Sequence, residues 1–353
     1  MASSLDIPSI PLIDFSPFLH GSARDRAQVA SSIDEAFKSR GFIYLSNHGI
    51  DQRKVDGCFE LSQRLFSLTD SEKTNMQPSQ GRLHYRGYSG IGNEKVREHL
   101  CIKEGFGCGN PEDTSQPNIW PPEELLPGFR AFMEDFFSEC SILTHHLLDA
   151  LSLVLDLSSA NSLSRNHAHS VFNFDLLHYP AVSTQLLNSG KLARVPAHSD
   201  FGTLTLLFQD DVGGLEIADL GSVDTEKSAE FEKHGSFTPV KPVPGTVVVN
   251  IGYLLMRWSN GRWKNTIHRV MGPSSLPMQE GSTKPDNPRN TGFDAGSLED
   301  TTPERYSIPF FASPDPEAMI DALPGCWSQD VPKRWKPINS GDFLRRKRDA
   351  ISA

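Results

Sequence analysis

The sequence has no long hydrophobic run, few cysteines and no excess of basic residues. No stretch approaches the roughly 20 apolar residues that cross a bilayer, and the N-terminus lacks the basic and then apolar pattern of a secretory signal. Five cysteines are scattered over 353 residues without a Cys-x-x-Cys pair, which disfavours a disulfide framework or a cysteine-bound zinc ion. The formal net charge is −10, and phosphates bind clustered Lys and Arg. We therefore expect a cytoplasmic protein without a nucleic-acid or membrane partner.

The apolar residues that are present suffice for a sizeable core. Hydrophobic residues make up 37% of the chain and charged residues 22%, as in ordinary globular proteins. In residues 24–40, 52–68 and 129–155 the apolar positions recur every three or four residues, which predicts amphipathic helices. Ser22 can cap the first helix. The one basic run, residues 345–348, is interpreted as a solvated helix end.

Short strands are predicted both near the N-terminus and from about residue 170 onward. IPLIDF predicts an edge strand because proline flanks it, and FIYLSN predicts a second strand. Later strands are VFNFDLLHY, TLTLLF, TVVVNIG, TIHRV and RYSIPFF. Since no helical pattern separates the later strands, they indicate an antiparallel sandwich or barrel.

The chain is predicted to form one structural unit with two parts. A helical or mixed N-terminal region, residues 1–165, packs on a β core with a C-terminal helix, residues 166–353. Residues 219–238 and 272–303 interrupt the core with polar sequence, and we expect long insertion loops there. The second loop, rich in Pro, Gly and Asn, is expected to be mobile, and it is either a lid over the substrate or a passive surface loop.

His198 and Asp200 form the only His-x-Asp in the sequence. In a strand, residues i and i+2 share a face, so both side chains could hold a metal, although a buried His–Asp hydrogen bond would give the same pattern. His268, which is expected in the middle of the strand TIHRV, is the best candidate for a third ligand. Two histidines and one carboxylate leave positions open, as in non-haem Fe(II) sites for oxygen chemistry. No cysteine lies near either stretch, which disfavours a closed zinc site.

Oxygen activation at iron needs electrons, and a 2-oxo acid that chelates the metal is one common source. Its far carboxylate then needs a fixed cation, which an arginine can supply through two hydrogen bonds. Arg305 and Ser307 of RYSIPFF would lie on one strand face. A second Arg-x-Ser, at Arg257 and Ser259, precedes a turn-like SNGR and is interpreted as structural.

The order HxD, NxG, HRV and RxS resembles the isopenicillin N synthase-like Fe(II)/2-oxoglutarate oxygenases. The resemblance covers nearly the whole chain, from IPLIDF and GFIYLSNHGI through LLHYPAV and AHSDFGTLTLLFQD to RYSIPFF. Several of these strings are similar to fungal members such as thymine dioxygenase. The resemblance implies a mainly β fold with flanking helices, whose core is a double-stranded β-helix, or jelly roll. It also implies iron ligands and residues that bind 2-oxoglutarate: His198, Asp200 and His268 for iron, and Arg305, Ser307 and Tyr179 for 2-oxoglutarate.

The activity implied by the resemblance is oxidation of a small organic molecule by O₂ and 2-oxoglutarate, through hydroxylation, desaturation or rearrangement. Strand parity and the neighbourhood of the ligands predict four pocket residues: Asn173, Asp175, Phe201 and Phe311. As the resemblance aligns, thymine dioxygenase has an arginine where this chain has Asp175, and that exchange should change the substrate. We therefore expect a monomer that acts on a ring-bearing or apolar natural-product intermediate.

Three alternatives stay open. The protein could be a thymine or pyrimidine hydroxylase. It could be an iron oxidase of the same fold that does not use 2-oxoglutarate. It could also be a binding module on an inactive oxygenase fold, although such a module has no physical need for all three metal ligands.

Overall fold

The computed structural model describes residues 10–78, 86–93, 95–96, 99–188, 192–221, 227–272 and 301–352. Its strands are β1 (Leu12–Asp14), β2 (Phe42–Ser46), β3 (Gly87–Ser89), β4 (Lys95–Val96), β5 (His99–Cys101), β6 (Glu104–Gly109), β7 (Asn173–Tyr179), β8 (Val182–Ser183), β9 (Leu192–Ala193), β10 (Val195–His198), β11 (Leu204–Gln209), β12 (Leu215–Ala218), β13 (Phe237–Pro239), β14 (Thr246–Ile251), β15 (His268–Val270), β16 (Thr301–Thr302), β17 (Arg305–Ala312), β18 (Met319–Ile320) and β19 (Ile338–Asn339). Its α-helices are α1 (Ser16–His20), α2 (Ala23–Ser39), α3 (Gln52–Phe66), α4 (Asp70–Thr74), α5 (Phe129–Val154), α6 (Thr184–Asn188), α7 (Ser228–His234), α8 (Tyr253–Trp258) and α9 (Ser340–Ser352). None of the helices in these ranges is both long enough and apolar enough to cross a membrane.

The larger sheet runs in the order β1-β2-β14-β11-β17-β7-β6-β3 and combines strands from both parts of the chain. β1 is an edge strand, as predicted, and pairs parallel with β2. One face of the sheet packs on α5, where Phe136 lies 5.4 Å from Phe208 and Phe137 lies 5.5 Å from Phe310, measured between ring centres. The apolar stripe predicted for residues 129–155 therefore covers this sheet.

The smaller sheet, β10-β15-β12-β13, shares a second apolar core with the inner face of the larger one. That core contains residues from both sheets: Phe42, Tyr44, Leu177, Tyr179 and Val248 from the larger, and Val195, Leu215, Ile217 and Val270 from the smaller. Two sheets around one core, with helices outside the larger sheet, confirm the predicted double-stranded β-helix with a helical N-terminal region.

The long helices lie where their periodicity predicts them. α2 begins after Ser22, whose hydroxyl accepts from the backbone N–H of Asp25, while the Asp25 carboxylate accepts from the backbone N–H of Ser22. This reciprocal cap satisfies two N–H groups that have no partner within the helix. The five cysteines are buried and unbridged, in agreement with the expectation that they form no disulfide framework.

Two expectations about the strands near the His-x-Asp are wrong. β10 ends at His198, and Asp200 lies in the loop that follows, so the two residues do not share a strand face. His268 begins β15 and does not lie in the middle of it. The later half of the chain also contains the short helices α6, α7 and α8 between its strands, which are too short to show a clear helical period.

The interpretation of residues 219–238 as a loop is also wrong for part of that segment. Its described residues include α7 and β13, and β13 pairs with β12. Phe231 of α7 is buried, and Glu232 accepts a hydrogen bond from the backbone N–H of Ala197 in β10. The segment therefore supports the strand that carries His198.

Residues 273–300 of the second predicted loop lie outside the described residues. The prediction that this loop is mobile, and the choice between a lid and a passive surface loop, lie outside them as well. The two described ends of that segment lie side by side. A Cβ atom added to Gly272 would lie 3.1 Å from Oγ1 of Thr302, and β16 pairs with β8 directly beyond.

A buried ion pair joins the N-terminal helices to the core. Nε and Nη2 of Arg262 donate to the two oxygens of Asp34 at 2.9 and 2.8 Å, and Nε1 of Trp263 donates to Oδ1 at 2.9 Å. Burial works against the charge of Asp34, but the hydrogen bonds from Arg262, Lys38 and Trp263 outweigh it and lower the pKa of the carboxyl group. Asp34 on α2 is therefore tied to the segment between α8 and β15.

We predict that Asp34→Ala lowers the free energy of unfolding by about 2 to 3 kcal/mol. Removal of one partner of a buried pair leaves the other uncompensated, and the value is below that of a fully buried pair because the Arg262 side chain is 31% exposed. Glu35→Ala is the matched control, since that side chain is 70% exposed and should cost at most about 0.5 kcal/mol. Urea unfolding at neutral pH measures both, and equal losses would contradict the prediction.

Candidate active site

Two histidines and one aspartate come together at the end of β10 and the start of β15. His198 and His268 are register partners in this antiparallel pair, and their ring centres lie 4.3 Å apart. With Asp200, each offers one ligand atom, and these atoms all lie within 4.8 Å of one another. Within the described ranges, no other group of three or more His, Cys, Asp or Glu side chains comes as close together.

Both imidazoles are oriented by backbone carbonyl groups. Nδ1 of His198 lies 2.9 Å from the carbonyl oxygen of Pro196, and Nδ1 of His268 lies 3.2 Å from that of Thr266. A carbonyl only accepts, so in each neutral ring Nδ1 carries the proton and Nε2 keeps its lone pair. The two Nε2 atoms lie 3.7 and 3.6 Å from Oδ1 of Asp200. This is the orientation by outer hydrogen bonds that metal-binding histidines need.

The carboxylate of Asp200 uses its two oxygens differently. Oδ2 accepts hydrogen bonds from Oγ1 of Thr205 at 2.5 Å and from Nδ2 of Asn250 at 2.8 Å, whereas Oδ1 faces the histidines. Burial alone would raise the pKa of Asp200, but the two histidines and the two hydrogen bonds outweigh it and lower that pKa. Burial, followed by the proximity of His268, lowers the pKa of His198 to about 4. At neutral pH the site therefore contains a carboxylate and a neutral His198, the protonation states that bind metals.

The loop that carries Asp200 is held by the start of α8. The backbone N–H of Tyr253 donates to the carbonyl oxygen of Asp200 at 2.8 Å, which satisfies an N–H group at the helix N-terminus. Gly252 allows the close approach, because a Cβ atom there would lie 2.3 Å from the carbonyl oxygen of Gly202. The Asn-x-Gly of the sequence thus has two structural roles: Asn250 holds the carboxylate, and Gly252 makes room for the loop.

A second polar site surrounds Arg305, whose side chain is fully buried. Its Nε donates to the carbonyl oxygen of Gly213 at 2.8 Å, and its Nη1 donates to Oγ of Ser307 at 2.9 Å. The guanidinium carbon lies 5.0 Å from the ring centre of Tyr179, the register partner of Arg305. Nη2 has no hydrogen-bond partner. A buried cationic N–H without an acceptor is costly, and a ligand carboxylate would remove that cost.

Two predicted pocket residues lie in a row with the residues that hold Asp200. Asn173 of β7 is opposite Phe311 of β17, Phe311 is opposite Thr205 of β11, and Thr205 is opposite Asn250 of β14. Thr205 and Asn250 are the two donors to Asp200. Phe311 therefore lies beside Thr205, which binds Asp200, and Asn173 lies one strand further from it.

Asp175 follows Asn173 on the same face of β7, since alternate residues share a face, and it lies opposite Gly107 of β6. Burial lowers the pKa of Arg86. Arg86 is also close enough to Asp175 for their charges to interact, and this smaller effect raises the pKa of Arg86. The guanidinium lies directly against β6, where a Cβ atom on Gly109 would lie 1.8 Å from its Nη2. The carboxylate expected in the pocket is thus accompanied by a cation that the sequence analysis does not identify.

The fourth predicted pocket residue, Phe201, contacts the C-terminal helix. Nζ of Lys347 in α9 lies 5.0 Å from the ring centre of Phe201 and 5.6 Å from that of Phe343. Phe343 in turn stacks on Tyr253 of α8, with ring centres 5.2 Å apart. Arg345 and Arg346 of the basic run are exposed, whereas Lys347 is partly buried against these two rings.

Comparison with known proteins agrees with this geometry. Residues 166–277 match the 2OG-Fe(II) oxygenase superfamily, and residues 10–123 match the family described as non-haem dioxygenase in morphine synthesis, N-terminal. The chain is 34% identical over 330 residues to the 2-oxoglutarate-dependent dioxygenase FrbA of Dothideomycetidae sp., which covers 90% of this chain and 89% of that protein. It is 33% identical over 322 residues to the proline hydroxylase BuaE of Petromyces alliaceus, with 88% and 89% covered.

A solved structure shares the whole fold. The thymine hydroxylase of Neurospora crassa, in complex with α-KG (2-oxoglutarate) and thymine, superposes with a TM-score of 0.78 and 31% identity over 98% of each chain. The sequence matches, the common fold and the grouping of two histidines with one carboxylate lead to the same assignment. This chain belongs to the 2OG-Fe(II) oxygenase superfamily and is a non-haem Fe(II)- and 2-oxoglutarate-dependent dioxygenase.

Proposed function

We propose that His198, Asp200 and His268 hold the iron with which this enzyme oxidises a small natural-product intermediate. The observation that carries the proposal is that the two oxygens of Asp200 have different contacts. Thr205 and Asn250 donate to one oxygen, and both histidine Nε2 atoms face the other. Fe(II) bound by two histidines and one carboxylate keeps positions open and supplies the oxygen chemistry of this class.

Arg305, Ser307 and Tyr179 are proposed to receive 2-oxoglutarate. Arg305 is held by Gly213 and Ser307, and its Nη2 is left without a partner. Its orientation is therefore set before the distal carboxylate arrives, and little ordering remains to be done on binding. Leu177, opposite Ser307, contributes an apolar wall where plant members of the family have asparagine. The site then combines a fixed cation with a dry surrounding, in which a charge-assisted hydrogen bond is strong.

The substrate is proposed to be a ring-bearing molecule that lies against Phe311 and Phe201, with Asn173 as a hydrogen-bonding group. The aromatic rings of Phe201, next to Asp200, and of Phe311, opposite Thr205, favour flat or apolar surfaces. Asp175 and Arg86 carry opposite charges, so the pocket offers a donor and an acceptor at one place and does not select for a strongly charged group. Relatives named for 2-oxoglutarate-dependent oxidations in fungi, including a proline hydroxylase, support a small cyclic substrate.

Thymine is the second candidate substrate, because the Neurospora crassa enzyme in its thymine complex shares the fold over 98% of the chain. Against it, a carboxylate at Asp175 stands where the family resemblance places an arginine. Anaerobically iron-loaded protein, mixed with 2-oxoglutarate and O₂, separates the candidates through succinate release with thymine, with free proline and with cyclic fungal metabolites. Substrate-dependent oxygen uptake that never required 2-oxoglutarate would instead support the oxidase alternative.

We predict that His198→Ala, Asp200→Ala and His268→Ala each abolish turnover and stoichiometric Fe(II) binding while the protein stays folded. An open metal site contributes less to folding than a closed structural one. Iron titration, succinate formation and thermal unfolding without metal are the measurements. His146→Ala on α5 is the control and should retain iron and activity. A variant at any of the three positions that keeps both would remove that residue from the site.

Asn250→Ala should weaken metal binding about 10- to 100-fold, although Asn250 is not itself a ligand. Without its amide, Asp200 Oδ2 loses one of two donors and the carboxylate can rotate away from the histidines. Thr246→Ala on the same strand is the control, because its hydroxyl donates only to the carbonyl oxygen of Val243. Unchanged Mn(II) affinity by calorimetry in Asn250→Ala would show that Thr205 alone fixes the carboxylate.

Arg305→Gln should raise the apparent KM for 2-oxoglutarate by about tenfold or more, because a charge-assisted contact is lost and the ligand carboxylate stays unpaired. Iron affinity should change little, since the guanidinium contacts none of the three ligands. Arg257→Gln, the other arginine of an Arg-x-Ser, should leave this KM unchanged. Initial rates at varied 2-oxoglutarate measure both, and a KM equal to that of the parent in Arg305→Gln would exclude Arg305 from the cosubstrate site.

A further inference from the structure

A second arginine, Arg194, lies buried beside the proposed cosubstrate site. It precedes β10, has no exposed surface, and donates from Nη2 to the carbonyl oxygen of Pro303. Its Nε and Nη1 are buried without a hydrogen-bond partner. Pro303 precedes β17, the strand that begins with Arg305, so Arg194 is fixed to the same segment of chain.

Arg194 and Arg305 both lie close to the ring of Tyr179. Their guanidinium carbons are 5.7 and 5.0 Å from its centre. Burial, followed by the proximity of Arg305, lowers the pKa of Arg194 to about 10, so Arg194 remains charged at neutral pH. Two like charges share one buried region around a single aromatic ring.

No carboxylate among the described residues forms an ion pair with either arginine. Asp210 is an acid whose charge acts on both, but its carboxylate accepts from the backbone N–H groups of Tyr306 at 2.5 Å and Val212 at 3.1 Å. Gln209, next to Asp210 and opposite Ser307, also has both of its side-chain polar atoms buried without partners.

Buried cations without a counter-ion are unfavourable, and buried polar atoms are normally satisfied. Here three unpartnered N–H-bearing atoms of two arginines and the amide of Gln209 gather at one end of the barrel. Arg194 has two buried guanidinium nitrogens without a hydrogen-bond partner, whereas Arg257, interpreted as structural, has one. The cluster fits an anion with several acceptor lone pairs, and a carboxylate has about four.

We propose that Arg194 is a second cation of the cosubstrate site, which with Arg305 binds the distal carboxylate and thereby selects 2-oxo dicarboxylates over 2-oxo monocarboxylates. The inference rests on the proposed role of Arg305 and adds a specificity-determining residue to it. Iron chelation by the 2-oxo acid end does not involve Arg194. The contribution of Arg194 is therefore confined to ligands that carry the distal carboxylate.

The test compares two ligands that share the 2-oxo acid end, 2-oxoglutarate and 2-oxobutanoate. Calorimetry on the Mn(II)-loaded full-length enzyme gives the Kd of each ligand for the parent, Arg194→Met and Arg194→Lys. We expect Arg194→Met to raise the Kd of 2-oxoglutarate about tenfold or more and to leave the Kd of 2-oxobutanoate within about twofold. Arg194→Lys should recover part of the affinity for 2-oxoglutarate, because lysine keeps the charge but lacks the planar guanidinium with its paired donors. The ratio of the two Kd values is insensitive to a general loosening of the fold.

Arg257→Met is the matched control. Arg257 also donates from Nη2 to a backbone carbonyl, that of Lys336, lies 5.8 Å from the ring centre of a tyrosine, Tyr253, and has a buried Nε without a partner. It is not near Arg305, so this variant should leave the ratio unchanged. Because Arg194→Met removes an uncompensated charge, its unfolding temperature without ligand should not fall below that of the control variant.

Equal weakening of both ligands, or an unchanged ratio, would overturn the assignment of Arg194. A large loss of ligand-free stability with normal 2-oxoglutarate binding would also overturn it, in favour of a packing role. If Arg194→Met fails to fold, the same ratio in Arg194→Lys decides. Failure of the parent enzyme to bind 2-oxoglutarate would instead contradict the proposed function itself, so the two failures are distinguishable.

Discussion

The site depends on how the protein divides the two oxygens of one buried carboxylate. Asp200 lies in a loop, where nothing in the strand geometry would fix its side chain. Thr205 and Asn250, register partners on adjacent strands of the larger sheet, bind Oδ2. With that oxygen held, Oδ1 is left to face the two histidines of the smaller sheet. The cluster of His198, Asp200 and His268 thus joins the two sheets, and the spacing between the sheets sets the spacing of its three side chains.

The two ends of the barrel interior differ in charge. At one end the carboxylate and the imidazoles form the proposed cation site. At the other, Arg305 on β17 and Arg194 before β10 form the proposed anion site. A ligand with a chelating end and an anionic end can bridge the two sites. The distance between the sites along β17 and β7 then determines which ligand length fits. Rigid strands fix that distance more accurately than loops would.

Much of this arrangement could be predicted from the sequence because it depends on periodicity and residue type. α2, α3 and α5 are long enough to show a helical period, and the alternation in RYSIPFF correctly places Arg305, Ser307 and Phe311 on one face. The residue types of the proposed metal site also follow from the sequence. The premise that His198 and Asp200 share a strand face is wrong, yet the cluster forms, because the loop returns the carboxylate to the same place.

What could not be predicted depends on contacts between distant segments. Helices as short as α7 and α8 have too few residues to show a period and are held by single buried side chains such as Phe231 or by the Asp200 loop. Arg194 looks like an ordinary polar residue in the sequence, and neither the Asn-x-Gly motif nor the basic run indicates what Asn250 or Lys347 contacts. Arg194 lies beside a second buried arginine only in the folded chain. Lys347 contacts Phe201 only because α9 packs there.

The pairing of β2 with β14 has a consequence for synthesis of the chain. Tyr44 in β2 donates a hydrogen bond to the carbonyl of Lys241, 197 positions later. Every residue of β2 has its antiparallel partner in β14, which is synthesised much later. At roughly 5 to 20 residues per second on the ribosome, β2 spends on the order of 10 to 40 s with an open edge. An unpaired hydrophobic edge can pair with strands of other chains. The nascent polypeptide is therefore most vulnerable to aggregation during this interval. Slower translation after β2 would lengthen the interval.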